Sequence, residues 1–265
     1  MCKIDNRMEQ QNTWESFCTQ RIMRNGQQSV REVTLLKEHS LELWINEQLA
    51  GKIICTPSDL EFLVLGRLAS EGIITRLQQV EQLYLCESGS RVRVYLKEEA
   101  ALGKAPLEVP TCCTDNQMYL EEISRKLPVL PKVSVRASYI YELVEQFQKD
   151  TELHKSTGGA HSCVLARKGK AVYTAEDIGR HNALDKAIGY ALRQQLPREE
   201  CILFTTGRVP VDMARKVIRA RIPVLVSKSV PTKEAVDLAG RQGLTLVCRA
   251  WPDSFEVYSG KVDFC

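Results

Sequence analysis

Apolar residues recur along this chain in two alternating rhythms. Short runs at 33–36 and 41–46 read as strands. Over 56–74 the spacing turns helical, with Leu60, Leu63, Val64 and Leu68 on one face. Thr56 is placed as the N-cap of that helix, Pro57 at its first position, Asp59 three residues after the cap and Gly72 at its end. Two more strands follow at 80–86 and 91–96, the second alternating cleanly. Residues 31–110 are therefore expected to form a small α+β domain behind a polar arm at 1–30.

Past this the rhythm breaks. Residues 111–133 hold adjacent cysteines, a possible short helix at 117–127, and Pro128 and Pro131, and read as a loop and linker. The remainder, 134–265, is more regular. A helix is predicted over 138–149 with Ile140, Leu143, Val144 and Phe147 inward, then a hairpin over 162–177 turning at Lys168-Gly169-Lys170. Asn182 is expected to cap the next helix. Strands at 201–205, 223–227 and 244–248 then alternate with helices at 211–220 and 233–242. Short apolar strands alternating with helices predict an α/β domain whose parallel sheet is covered on both faces.

Composition narrows the class without changing this outline. The chain has 265 residues, 44% hydrophobic and 26% charged, which suits a soluble globular protein. There is no apolar stretch of about 18 residues to span a membrane, and the polar N-terminus has no secretory pattern. The net charge of +3 is too small for a nucleic-acid coat. Ten cysteines without a signal peptide or any C-x-x-C point to a reduced, cytoplasmic chain rather than a disulfide or zinc-ribbon framework.

In open α/β sheets ligands bind beyond the carboxyl ends of the strands. Thr206-Gly207-Arg208 follows one such end, and Lys228-Ser229-Val230-Pro231-Thr232 the next. Each loop leads to a helix N-terminus, which favours anions, and Arg208 adds a forked donor. Thr232 taken alone is a helix cap. Gly179-Arg180-His181-Asn182 is a third such loop, able to hold an anion or move a proton or, equally, to be a polar turn. Gly158-Gly159-Ala160-His161 permits close backbone approach, as plain turns also do. Cys112-Cys113 lies in a polar loop. It reads as a nucleophile or sulfur carrier, or as an ordinary exposed pair.

The segments at 56–74, 157–166, 176–192 and 205–239, with Phe255-Glu256-Val257-Tyr258-Ser259-Gly260, together resemble the formate dehydrogenase accessory sulfurtransferase family, from about residue 32 to 260. The resemblance implies a larger C-terminal domain of cytidine-deaminase-like three-layer fold. It implies transfer of persulfide sulfur from a cysteine desulfurase to the bis-molybdopterin guanine dinucleotide cofactor of formate dehydrogenase, and a homodimer. It also implies cofactor contacts at Phe255 to Gly260. The family's loop is Cys-Gly-x-Cys-Gly, whereas this chain reads Cys112-Cys113-Thr114-Asp115-Asn116. Cys112 takes the place of the first cysteine and Asp115 that of the second. Cys112 is thus the expected persulfide carrier, and a relay between two cysteines is missing. A cofactor-holding chaperone without sulfur transfer is the alternative. A zinc deaminase needs H-x-E and P-C-x-x-C; His161-Ser162-Cys163 lacks the Glu, so no catalytic zinc is expected.

Overall fold

The computed structural model describes residues 3–6, 12–98, 107–109, 127–147 and 151–264. Cys112, Cys113 and nearly all of the helix expected at 117–127 lie outside the described residues. The chain begins with β1 (Lys3–Asn6), β2 (Trp14–Ile22), β3 (Gln28–Leu36), β4 (His39–Ile45), β5 (Gln48–Cys55), α1 (Leu60–Ser70), β6 (Val80–Leu85), β7 (Arg91–Leu96) and β8 (Leu107–Val109). It continues with β9 (Ser134–Arg136), α2 (Ala137–Gln146), α3 (Glu152–Thr157), β10 (His161–Arg167), β11 (Lys170–Asp177), α4 (Arg180–Arg193) and β12 (Cys201–Thr205). Last come α5 (Val211–Arg219), β13 (Val224–Ser227), α6 (Lys233–Gln242), β14 (Thr245–Cys248), β15 (Glu256–Ser259) and β16 (Lys261–Asp263).

Two six-stranded sheets organise these elements, ordered β1-β6-β7-β4-β5-β8 and β11-β10-β12-β13-β14-β15. The second is mixed. β12, β13 and β14 are parallel, while β10 and β15 flank them antiparallel. Its central strands β12, β13 and β14 are buried at every position because both faces are covered. Cys163, Leu165, Leu203, Leu225 and Leu246 join the core around α1, α4 and α5. Their neighbours Val164, Ala166, Phe204 and Val226 pack with Ile140, Leu143 and Val144 of α2 on the other side. The inner face of the first sheet (Leu41, Leu43, Leu83, Val92 and Val94) belongs to that same larger core.

The helices α1 and α4 meet at glycines. A Cβ on Gly66 would fall 1.7 Å from the Asp185 carbonyl oxygen, and one on Gly189 would fall 1.8 Å from that of Phe62. Buried charges join the same helices: Asp185 accepts from Ser70 Oγ at 2.7 Å, and lies 3.3 Å from Arg67 Nη1 and 2.5 Å from Lys216 Nζ.

Several expectations are corrected. Residues 14–22 are not a polar arm but one strand of a hairpin with β3, and β5 and α3 carried no clear sequence signal. Thr56 does not cap α1. Its N–H and hydroxyl both donate to Asp177 Oδ2, at 3.1 and 2.9 Å, so the helix begins only at Leu60, after Asp59 in the left-handed region (φ 52°). Asn182 sits inside α4, with Gly179 at the cap, and its amide donates to Asp177 Oδ1 and to the Ile54 carbonyl oxygen at 2.9 and 2.8 Å. The turn at Lys168-Gly169 is as expected, with both φ values positive, at 49° and 77°.

Candidate functional site

Parallel pairing of Thr205 with Ser227 brings the ends of β12 and β13 level. The antiparallel β10 starts at the same edge, since Cys163 faces Thr205. Thr206 ties the two together: its N–H donates to the Ser162 carbonyl oxygen at 3.1 Å, and its Oγ1 accepts from Ser162 N–H at 3.2 Å. Above this edge opens a cavity of about 440 Å³, lined by His154, Gly158, Gly159, Ala160, His161, Thr206, Lys228, Ser229 and Trp251. That volume suits one nucleotide-sized group.

The lining is rich in donors. His154 is held by a 2.7 Å contact between its Nδ1 and the Ala160 carbonyl oxygen, and its backbone N–H donates to Glu176 Oε1 at 3.3 Å. Lys228 Nζ donates to the Phe147 carbonyl oxygen at 2.9 Å, which fixes its ammonium at the rim. Burial, with Arg180 and His154 beside it, lowers the pKa of His161 and keeps its ring neutral near pH 7. Arg180 is mostly buried, and a Cβ on Gly207 would meet its side chain at 3.1 Å. Trp251, 49% exposed, supplies a flat ring. One lysine ammonium, two hydroxyls and one aromatic ring thus face the same cavity. A cavity of about 480 Å³ on the other side of α3 carries Asp59 and Glu176 with no cationic side chain in its lining, and so has the wrong sign for an anion.

The residues expected from the sequence divide by position. Gly158, Gly159, His161 and Thr206 line the cavity. Gly179 stands at the α4 cap, and Gly207 lies over Arg180. His181 is fully buried away from the lining, with Nε2 3.3 Å from Asp212 Oδ2. Burial, and then the charges of Lys216, Arg180 and Arg67, push its pKa down to about 2. Neutral at working pH, it neither pairs as an ion nor offers a positive charge to a ligand. Arg208 is exposed outside the lining, and Thr232 caps α6 by accepting from Ala235 N–H at 3.3 Å. Phe255 and Glu256 lie at the cavity end of β15, where Glu256 faces Cys248, while Ser259 faces Leu246 farther along the strand. Val257 and Tyr258 lie between them, and Gly260 follows. His154 and Trp251 line the cavity without belonging to any motif.

Among the described residues no group of three or more His, Cys, Asp or Glu is arranged to hold a metal ion. Among the described residues no helix is long and apolar enough to cross a membrane.

Fold and site together define a mixed α/β protein with a donor-lined cavity at the carboxyl edge of its central parallel strands. Residues 36–264 match the model of the FdhD/NarQ family, and the chain belongs to that family. It is 34% identical over 253 residues to the sulfur carrier protein FdhD of Mycolicibacterium paratuberculosis, covering 88% of this chain and 93% of that one. It is 31% identical to the protein of the same name from Geobacillus kaustophilus, covering 89% and 92%. The crystal structure of a protein described as a formate dehydrogenase accessory protein, from Desulfotalea psychrophila, superposes with a TM-score of 0.76 at 23% identity, covering 94% of this chain and 98% of that one.

Proposed function

We propose that this protein is a sulfur carrier that serves formate dehydrogenase. Cys112 takes sulfane sulfur from a cysteine desulfurase and passes it to bis-molybdopterin guanine dinucleotide held by the protein. In the first step the Cys112 thiolate attacks the donor's persulfide; one S–S bond breaks as another forms, and the donor cysteine leaves as thiolate. The names of the relatives support the carrier role. The observation that carries the cofactor half is the cavity of about 440 Å³, with Lys228, His154, His161, Thr206 and Trp251 around it. It suits one guanine nucleotide arm, with Lys228 and Thr206 on the phosphates, while Arg180 adds positive field from below. The cofactor, when bound, supplies the metal that accepts the sulfur.

The mixed sheet with helices on both faces supports a cytidine-deaminase-like reading of residues 134–265. A reducing cytoplasm suits a carrier thiol. Asp115 in place of a second loop cysteine favours one further reading, a chaperone that holds the cofactor without moving sulfur. Mass spectrometry after incubation with a desulfurase and cysteine separates the two. Carriage adds one sulfur on the Cys112 peptide, and Cys112→Ala loses it. An unmodified Cys112 overturns the carrier role.

A further inference from the structure

The first sheet turns two unlike faces. Leu41, Leu43, Leu83, Val92 and Val94 point into the core. On the other face the register sets Tyr84 of β6 beside Arg93 of β7, and Arg93 beside Trp44 of β4. One row along, Arg91 stands beside Glu42, and Glu42 beside Lys52 of β5. The side chains of Lys52, Arg91 and Arg93 are 46%, 49% and 43% exposed, so this face is open to a partner.

Its side chains are already held in place. The guanidinium carbons of Arg91 and Arg93 lie 5.7 and 5.9 Å from the centroid of the Trp44 ring, within cation–π range. Tyr84 and Tyr95 meet edge to face with centroids 6.1 Å apart. Glu42 accepts from Trp44 Nε1 at 3.3 Å and from Arg91 Nε at 3.2 Å, and lies 3.6 Å from Lys52 Nζ. Glu47 accepts from Arg93 Nη1 at 3.3 Å and from the Tyr95 hydroxyl. Both acids are thus engaged within the face, while three cations keep almost half of their surface for an outside carboxylate. Tryptophan, tyrosine and arginine are the residues that dominate binding hot spots, and holding them beforehand lowers the ordering cost of association.

The place of this face bears on sulfur delivery. β8 joins the sheet beside β5, with Lys52 opposite Glu108 and Ile53 opposite Val109. Cys112 follows Val109 by three residues, at most about 11 Å of chain. A protein whose persulfide meets Cys112 therefore comes up against the β5–β8 side of the first sheet.

We infer that the cysteine desulfurase docks on this outer face, from Lys52 across Trp44, Arg91 and Arg93 to Tyr84, through a carboxylate-bearing patch of its own. The inference rests on the carrier role proposed above. Complementary charge of this kind steers encounter and fixes orientation.

Loading of Cys112 in the full chain, followed by mass spectrometry from two donors, tests this. One donor is the source organism's cysteine desulfurase supplied with cysteine. The other is glutathione persulfide, whose terminal sulfur passes to the Cys112 thiolate while glutathione leaves as thiolate, with no protein to dock. The double variant R91E/R93E should be loaded about tenfold more slowly by sub-saturating desulfurase, and at the wild-type rate by glutathione persulfide. Lys52→Glu, which leaves the aromatic contacts in place, slows desulfurase loading in the same direction, and Lys233→Glu on α6 does not. If the double variant also loses glutathione persulfide loading, its fold is at fault and Lys52→Glu decides. Equal desulfurase rates for wild type, K52E and the double variant overturn this surface and leave the carrier role standing. Wild-type Cys112 that glutathione persulfide loads and the desulfurase does not overturns the donor itself, and the surface with it.

Discussion

Lys186 Nζ lies 2.7 Å from Asp177 Oδ2, with both side chains withdrawn from solvent. The same carboxylate accepts from Thr56 N–H and hydroxyl, Gly179 N–H and the Asn182 amide. One acid thus joins the end of β5, the end of β11 and the start of α4. Lys186→Met leaves Asp177 charged and buried without its cation. The unfolding free energy from urea titration should fall by about 3–5 kcal/mol, and adding Asp177→Asn should recover part of the loss.

Stability should fall in mild acid because of His181. Unfolded, this ring protonates near its ordinary value of about 6.5; folded, only near pH 2. Between these limits the unfolded state binds the extra proton, so stability present above about pH 6.5 is lost as pH falls, by about 1.4 kcal/mol per unit. His161, also lowered, acts in the same direction. Unfolding free energies at pH 7, 6 and 5 should show a shallower slope for His181→Gln than for wild type; equal slopes would remove His181 as the cause.

Thiol reactivity should divide sharply. Burial pushes Cys201 up to about 11 and Cys248 up to about 12. Partial burial of Cys86 would raise it too. The hydroxyls of Ser88 and Ser90 and the N–H of Arg91, 3.1 Å from the sulfur, together bring it below its ordinary value. Iodoacetamide at neutral pH, followed by peptide mapping, should mark Cys86 well before Cys201 or Cys248. Replacing both serines with alanine should slow Cys86.

Guanosine diphosphate is a suitable probe of the cavity. Lys228→Ala should weaken its calorimetric affinity by about 1.5–3 kcal/mol, the worth of a charge-assisted hydrogen bond. Arg208→Ala, outside the lining, should change it less. The reverse order would move the phosphate site toward the α5 end of the sheet.

Much of this architecture could be read from residue order. The runs at 201–205 and 223–227 are apolar up to their last residues, Thr205 and Ser227, and buried throughout because both faces are covered, and the loops after them follow from that alone. Local chemistry misled where a distant partner intervened. Thr56 looks like a cap until Asp177, 121 residues away, takes its hydroxyl. Asn182 looks like a cap until that same acid takes its amide. His181 looks like a ligand group, yet the turn before α4 points it into the core. His154 and Trp251 reach the cavity from α3 and from the β14–β15 loop, and no spacing rule connects them. The hairpin of β2 was hidden because its residues are polar or exposed on both faces, which leaves no alternation to detect.

The glycine contact between α1 and α4 bears on how the molecule comes apart. A methyl group at Gly66 or Gly189 would overlap main-chain atoms of the opposite helix. The seam is therefore sealed by backbone rather than by side chains that slide or repack. One of these helices belongs to the first half of the chain and the other to the second, so neither half owns a finished interior. Scission between them would yield two fragments that are each molten alone and that recover order by finding one another. The intact chain should accordingly melt as a single cooperative event.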